Sequence, residues 1–342
     1  RWVFLLIFHL NLVLLFGLYM LPSAFGQLTP EEIDRLKAEI RERLDDLNYY
    51  HTVASFVNLN LYPDISSSNF DIDNVGGSTI NMIKIPFTFD IGPEHLDWAP
   101  FIEGNFSYMK SSSHFDSLES LLSPIAPGIG QEPYDETDAD MEWTGYSALI
   151  GIGLKVPISD AWSFRPSIDI AWSRFENETE FSGPGESYYQ ELLDGLATNW
   201  LLDTVTYVGS LRFDYEKKLR KTVFHFTGKY SYMYTDFRHD DDILNDYNVT
   251  NNIFTGQIDL KGPFELTYKG NDLGWVLFYA HYRFEGEVGS LVGVVDYYNE
   301  NGFFIQTDFA KELLYTNGLK MGLSYVWGDD IEGYNFRIGF TF

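Results

Sequence analysis

The sequence predicts an all-β fold: a transmembrane antiparallel β-barrel of about twelve strands, fourteen as the alternative, preceded by a short amphipathic helix. Three observations predict it. In the last eleven residues, Glu332 to Phe342, the side chains of Tyr334, Phe336, Ile338, Phe340 and Phe342 share one face, while Asn335, Arg337, Gly339 and Thr341 share the other. About a dozen segments upstream repeat this alternation with aromatics near their ends, as lipid-facing strands require. The connections divide into short and long sets, as barrels of this class divide periplasmic turns from outer loops.

Composition agrees. Of 342 residues, 17% are aromatic, with 28 Phe and 23 Tyr, enough to girdle a barrel at both lipid boundaries. A mean hydropathy of −0.17 excludes a helical membrane protein. The lack of cysteine is compatible with export without demanding it. A net charge of −27 argues against nucleic acid as a partner, since phosphate contacts need clustered Lys and Arg.

The chain opens on Arg1, so its natural start is expected upstream. An apolar run from Trp2 to Leu21 leads into Pro22-Ser-Ala-Phe-Gly26, where Ala24 and Gly26 supply the small residues a signal peptidase inspects. Residues 1–26 are therefore expected to be a signal peptide. Thr29-Pro30-Glu31-Glu32 then starts a helix: Thr29 caps it, Pro30 presets the first turn and Glu32 completes the capping box. Ile33, Leu36, Ile40, Leu44 and Leu47 form one apolar stripe along it. Residues 27–50 are expected to act as a plug or as a periplasmic contact, and residues 51–342 as the barrel.

From Val53 the period changes to two. Phe56 to Tyr62 reads as a first strand. Ile83 to Ile91, Trp98 to Lys110, Tyr146 to Ile158, Trp162 to Ser173, Val205 to Tyr215 and Phe224 to Tyr234 follow with clean alternation. Phe254 to Tyr268 keeps an even phase that Gly262-Pro263 is expected to interrupt. In the next segment Val276, Phe278, Ala280, Tyr282 and Phe284 are assigned to lipid, opposite His281, Arg283 and Glu285. Leu291 to Tyr297, Phe303 to Phe309, Leu319 to Trp327 and the terminal strand bring the candidates to thirteen. A barrel with both ends in the periplasm needs an even number. Twelve is favoured, with the surplus segment expected between His281 and Tyr315.

Residues 111–141, 175–203 and 236–252 are long and acidic, and the first two contain no Lys or Arg. The long connections are assigned to the cell exterior, where contact with cations is expected. Lys217-Lys-Leu-Arg-Lys221 and Ser159-Asp-Ala161 are short and are assigned to the periplasm.

The ending Ser324-Tyr-Val-Trp-Gly-Asp-Asp-Ile-Glu-Gly-Tyr-Asn-Phe-Arg-Ile-Gly-Phe-Thr-Phe342, behind a signal peptide, a helix and repeated strands, resembles the autotransporter translocator barrel. More narrowly, residues 27–342 resemble the solitary outer-membrane autotransporter-like barrels, which lack a passenger. The terminal strand is the specific motif. The resemblance implies a bacterial outer-membrane location in a Gram-negative cell, contact with outer-membrane lipid, and recognition of Tyr334, Phe336, Ile338, Phe340 and Phe342 by the barrel-assembly machinery. In autotransporters the preceding helix threads the pore and carries an exported passenger. Only residues 27–50 separate the expected cleavage site from the expected barrel, which leaves no room for one.

Chemistry is sparse. No Gly-x-Ser-x-Gly occurs, and His51, His95, His114, His225, His239 and His281 show no recognisable spacing with Ser or Asp. His225 and His281 fall on lumen phases. His239 beside Asp240-Asp-Asp242 is the candidate for an alternative function, an outer-membrane enzyme hydrolysing lipid or peptide at the extracellular rim. That triplet and Asp135-Glu-Thr-Asp-Ala-Asp140 lack the spacing of a calcium loop, so no metal or cofactor is expected. Lys84, Glu103, Arg165, Asp169, Arg212, Lys229, Arg283, Glu285 and Arg337 are expected to line the lumen, as an open pore or a lumen knitted shut by charge pairs. The function expected is a passenger-less, non-enzymatic barrel acting as a small pore, translocator or structural surface protein.

Overall fold

The computed structural model describes residues 29–31, 33–35, 37–38, 53, 56–57, 59–61, 68–72, 78–91, 98–116, 137–195, 198–238, 248–268, 271–286, 296–313, 316–328 and 331–341. Twelve strands stand among them: β1 Ser68–Ile72, β2 Ser78–Asp90, β3 Ala99–Phe115, β4 Asp138–Pro157, β5 Trp162–Ser182, β6 Trp200–Leu219, β7 Thr222–Arg238, β8 Asn248–Tyr268, β9 Asn271–Gly286, β10 Tyr297–Leu313, β11 Thr316–Gly328 and β12 Ile331–Thr341. Each pairs with its sequence neighbour, and β1 pairs antiparallel with β12 to close the barrel. Closure leaves no free sheet ends around the ring, the condition for a sheet to span lipid.

Alternation sets the two faces. Along β4, Tyr146, Ile150, Ile152, Leu154 and Val156 are exposed on the outside, whereas Trp143, Ser147 and Leu149 are buried inside. The same holds along β5, with Ile168, Ile170 and Trp172 outside and Ser167, Ala171, Ser173 and Phe175 inside. A band of exposed Ile, Leu, Phe and aromatic side chains is unfavourable in water and favourable in hydrocarbon. Gly151 shows why small residues recur on the inner face: a Cβ there would collide with the Asp169 carboxylate on the facing strand.

The connections β4–β5, β6–β7, β8–β9 and β10–β11 are short, at one end. Longer ones, β3–β4, β5–β6, β7–β8 and β9–β10, gather at the other. Within the β5–β6 connection, the helix Glu186–Leu193 buries Leu192 and packs Tyr188 and Leu193 on the interior cluster, so it covers the long-loop mouth.

Two expectations about strands are corrected. Phe56, Val57, Leu59, Asn60 and Leu61 are helical, so the segment read as a first strand is not part of the wall. The true first strand is Ser68–Ile72, five residues that the sequence reading passed over. Gly262-Pro263 does not divide β8; the strand absorbs a register shift between Pro263 and Leu266 in which Glu265 takes φ 58°, and it continues. Tyr297 opens β10, while Leu291 to Val295 lie outside the described residues. The described wall thus has the favoured even number of strands.

Candidate functional site: the filled lumen

The interior is built in tiers along the barrel axis. Toward the long-loop end it is apolar, and the helical residues Val53, Phe56, Val57, Leu59 and Leu61 are buried in it with Met82, Phe175, Leu202, Met233 and Ile253 from the wall. The Phe56 ring lies 5.0 Å from Trp143, which meets Trp200 edge-on at 5.1 Å. Tyr282 and Tyr298 stack at 4.5 Å on the far side. Each fully buried aliphatic side chain contributes about 1.5–3 kcal/mol, so Val53, Val57, Leu59 and Leu61 together hold the segment firmly.

Polar contacts fix its depth and direction. Lys84 Nζ donates to the Leu59 carbonyl at 2.5 Å, and Asn105 Nδ2 donates to the Leu61 carbonyl at 3.3 Å. A hydrogen bond from a charged donor is stronger than one from a neutral donor, so the buried lysine holds its carbonyl firmly. Asn60 Nδ2 donates to Ser147 Oγ, which donates to Ser173 Oγ, each at 2.8 Å. Phe56 thus meets Trp143, near the long-loop end of β4, while Asn60 reaches Ser147, deeper along the same strand. With rising residue number the segment runs inward from the long-loop mouth.

Below Leu61 the lumen turns polar. Glu103, Asp169, Lys229, Ser210 and Ser231 share a small cavity there with Leu61, Leu149, Val208 and Met233. Further toward the short turns, Asp214 is a hub: its carboxylate takes Arg212 Nη2 at 2.9 Å, Arg165 Nε at 3.1 Å and the Thr227 hydroxyl at 2.8 Å. His225 bridges Asp214 at 3.4 Å and Asp259 at 3.1 Å, and Gln257 Nε2 donates to Asp259 at 2.7 Å. These opposite charges compensate one another at close range, which offsets their desolvation.

Polar side chains stand among the apolar ones on the inner face of the wall. Asn105, Ser107, Ser147, Thr204, Thr206 and Asn251 are buried on the inner face. Asn105 Oδ1, Ser107 Oγ, Thr204 Oγ1 and both side-chain polar atoms of Asn251 have no hydrogen-bond partner among the described residues. Buried polar groups are nearly always paired, and leaving one unpaired costs about 1–3 kcal/mol. These positions are chemically suited to water, and the apolar segment in the lumen is not.

Of the residues read from sequence, Lys84, Glu103, Arg165, Asp169, Arg212 and Lys229 face the interior in the contacts above. Arg337 stands in β12 opposite Gly322, and its side chain lies outside the described residues. Arg283 and Glu285 do not face the lumen. β9 pairs Tyr279 with Ile258 and Arg283 with Phe254, both on the lipid face of β8, so its odd positions point outward. Arg283 Nε and Glu285 Oε1 pair at 2.8 Å, both well exposed. Val276, Phe278, Ala280, Tyr282 and Phe284, assigned to lipid, are buried inside, because the upper lumen is filled with apolar side chains. His281 shares the outer phase and contacts Asn299 Oδ1 at 2.9 Å. Tyr334 and Phe336 are exposed on the outer face, at 70% and 54%; the side chains of Ile338, Phe340 and Phe342 lie outside the described residues.

The rim holds one group the sequence did not reveal. His114 contacts Asp140 at 2.6 Å and Asp116 at 3.1 Å, on the exposed outer face. Register brings them together: His114 and Asp140 are cross-strand partners, and a spacing of 26 residues carries no signal in sequence. His239 and Asp240 to Asp242 lie outside the described residues. Among the described residues no cluster of three or more His, Cys, Asp or Glu side chains could hold a metal.

Comparison with curated proteins returns no match. Among solved structures, the chain is similar to the β domain of the Bordetella autotransporter Brka, at 14% identity over 80% of this chain and 94% of that one, with a TM-score of 0.45. It is similar to the transport unit of the autotransporter AIDA-I from Escherichia coli, at 12% identity over 86% and 98%, with a TM-score of 0.45. The translocator domain of the autotransporter NalP from Neisseria meningitidis shows 9% identity over 90% and 98%, with a TM-score of 0.40. The description "Solitary outer membrane autotransporter beta-barrel domain" matches residues 69–341, which run from β1 to the end of β12. With that match spanning the whole described wall, the chain belongs to the solitary autotransporter β-barrel family of the bacterial outer membrane.

Proposed function

We propose that this protein is a conduit that its own N-terminal segment keeps shut, a translocator-type barrel without catalytic activity. The grip of Lys84 and Asn105 on the carbonyls of Leu59 and Leu61 carries this reading. A segment merely trapped in the lumen needs no such contacts; one that the wall positions does. The unpaired polar atoms of Asn105, Ser107, Thr204 and Asn251 support a lumen that hydrates when the segment leaves.

The direction of the segment favours translocation over a simple plugged pore. Its earlier residues head for the long-loop mouth, so residues 27–50 are carried toward the cell exterior. An epitope inserted between Gln27 and Leu28 is expected to bind antibody on intact cells. Binding only after permeabilisation would overturn the outward direction. The absence of catalysis is supported by the titratable clusters themselves: His225 is enclosed by carboxylates inside the wall, and His114 stands on an open outer face. A hydrolytic activity lost in His114→Ala or His239→Ala would instead favour an enzyme at the rim.

A further inference from the structure

The two ends of the barrel treat positive charge differently. On the outer face toward the long loops, bases meet acids: Lys110 meets Glu142 at 2.6 Å, Arg174 meets Asp203 at 2.7 Å and His114 meets Asp140. The β6–β7 turn at the opposite end carries Lys217, Lys218, Arg220 and Lys221 within five residues of a chain that has 50 acidic side chains against 23 basic. Lys221 pairs with Glu265. Lys217, Lys218 and Arg220 are exposed and make no ion pair or hydrogen bond with described residues.

Their setting is a lipid boundary. Trp162 and Tyr215 lie 4.7 Å apart on the outer face, and Phe224 lies 6.2 Å from Tyr215, a patch of girdle just above the turn. Lys217 follows Tyr215 in the same outward phase and is the cross-strand partner of Phe224. Leu219 is exposed on that face as well, at 47%. Lysine stems run along apolar surface while the ammonium reaches the headgroup layer. Arg220 lies in the two-residue turn itself, with φ 58°.

We propose that this turn binds anionic phospholipid headgroups of the periplasmic leaflet, with Lys217, Lys218 and Arg220 gathering around the phosphodiester. The aromatic patch and the outward phase of Lys217 place the charges at headgroup depth. A partner in the periplasmic space, such as the cell wall, would leave Lys217 and Leu219 unused.

The test is lipid enrichment around the purified, folded barrel in nanodiscs of dioleoylphosphatidylcholine with dioleoylphosphatidylglycerol, read by native mass spectrometry. Each base near an anionic surface contributes about a fivefold preference. The wild type is expected to enrich the anionic lipid at low salt and to lose it at high salt. Lys217→Gln/Lys218→Gln/Arg220→Asn should lower the enrichment at least about fivefold, and Lys217→Gln alone should lower it in part. Lys110→Gln, at the other end, should leave it unchanged. No enrichment by the wild type, or full enrichment by the triple variant, overturns the proposal. So does loss of binding to isolated cell-wall sacculi in the triple variant with lipid enrichment intact.

Discussion

Lys84 Nζ donates to the main-chain carbonyl of Leu59 at 2.5 Å inside the barrel, both residues being buried. One side chain of the wall thereby holds the segment that fills it. Replacing it with Met keeps the apolar stem and removes the donor, leaving a buried carbonyl unpaired at about 1–3 kcal/mol. For Lys84→Met the open probability in planar bilayers should rise roughly 5- to 150-fold, with the heat-modifiable gel shift of the folded barrel retained.

Val57 is fully buried between the segment and the wall. Val57→Asp places an uncompensated charge in the apolar tier, which expels the segment rather than unfolding the wall. Such a variant should conduct constitutively and still fold. A closed, folded Val57→Asp protein would contradict the assignment of this segment as the occupant.

Asp214 joins Arg165, Arg212 and His225, and its own side chain is 6% exposed. Asp214→Ala strips the shared acid from three bases. The two arginines are 26% and 32% exposed, so water recovers part of the loss, and destabilisation of about 2–4 kcal/mol is expected. Urea titration of the refolded barrel in vesicles measures it. Asp214→Asn, which keeps one acceptor oxygen, should lose less.

On the outer face, Ile152 lies within the apolar band and Thr144 lies on the same face of β4 nearer the long loops. Ile152→Arg should cost about 2–4 kcal/mol in the same titration and Thr144→Arg no more than about 1. Equal costs would mean that the exposed aliphatic band is not a lipid belt.

Phe342 and the outward ring of Phe336 are expected to be read by the assembly machinery. Deleting Phe342 should reduce the folded protein in cell envelopes while leaving refolding into detergent unaffected. Normal envelope levels would remove the terminal residue from that role.

The wall was largely legible because a strand between lipid and a polar lumen writes its two faces directly into the sequence, as in β4 and β5. Legibility failed where the lumen ceases to be polar. In β9, Val276 to Phe284 face an apolar interior while Leu277 and Tyr279 face lipid, so both phases are apolar and Arg283 and Glu285, near the long-loop end, misled the assignment. Phe56 to Leu61 failed for a related reason: a helix buried on all sides has no polar stripe, and Phe-Val-Asn-Leu-Asn-Leu then alternates well enough to imitate a strand. Ser68–Ile72 is too short, and too polar in Ser68, Asn69 and Asp71, to announce itself. At the site, Lys84 was legible as an inward charge, but its partner is a carbonyl, which sequence does not display. The stripe from Ile33 to Leu47 left residues 27–50 as a plug or a periplasmic contact, and the described occupant of the lumen lies at 53–61.

That difference gives the most direct test of the central claim. Two truncations are compared with the whole protein in planar bilayers, one lacking residues 28–50 and one lacking residues 28–61, both keeping every strand from Ser68 onward. The structure predicts that the whole protein and the shorter truncation stay closed and that the longer truncation conducts steadily. Steady conduction by the whole protein, or equal conduction by the two truncations, would contradict it.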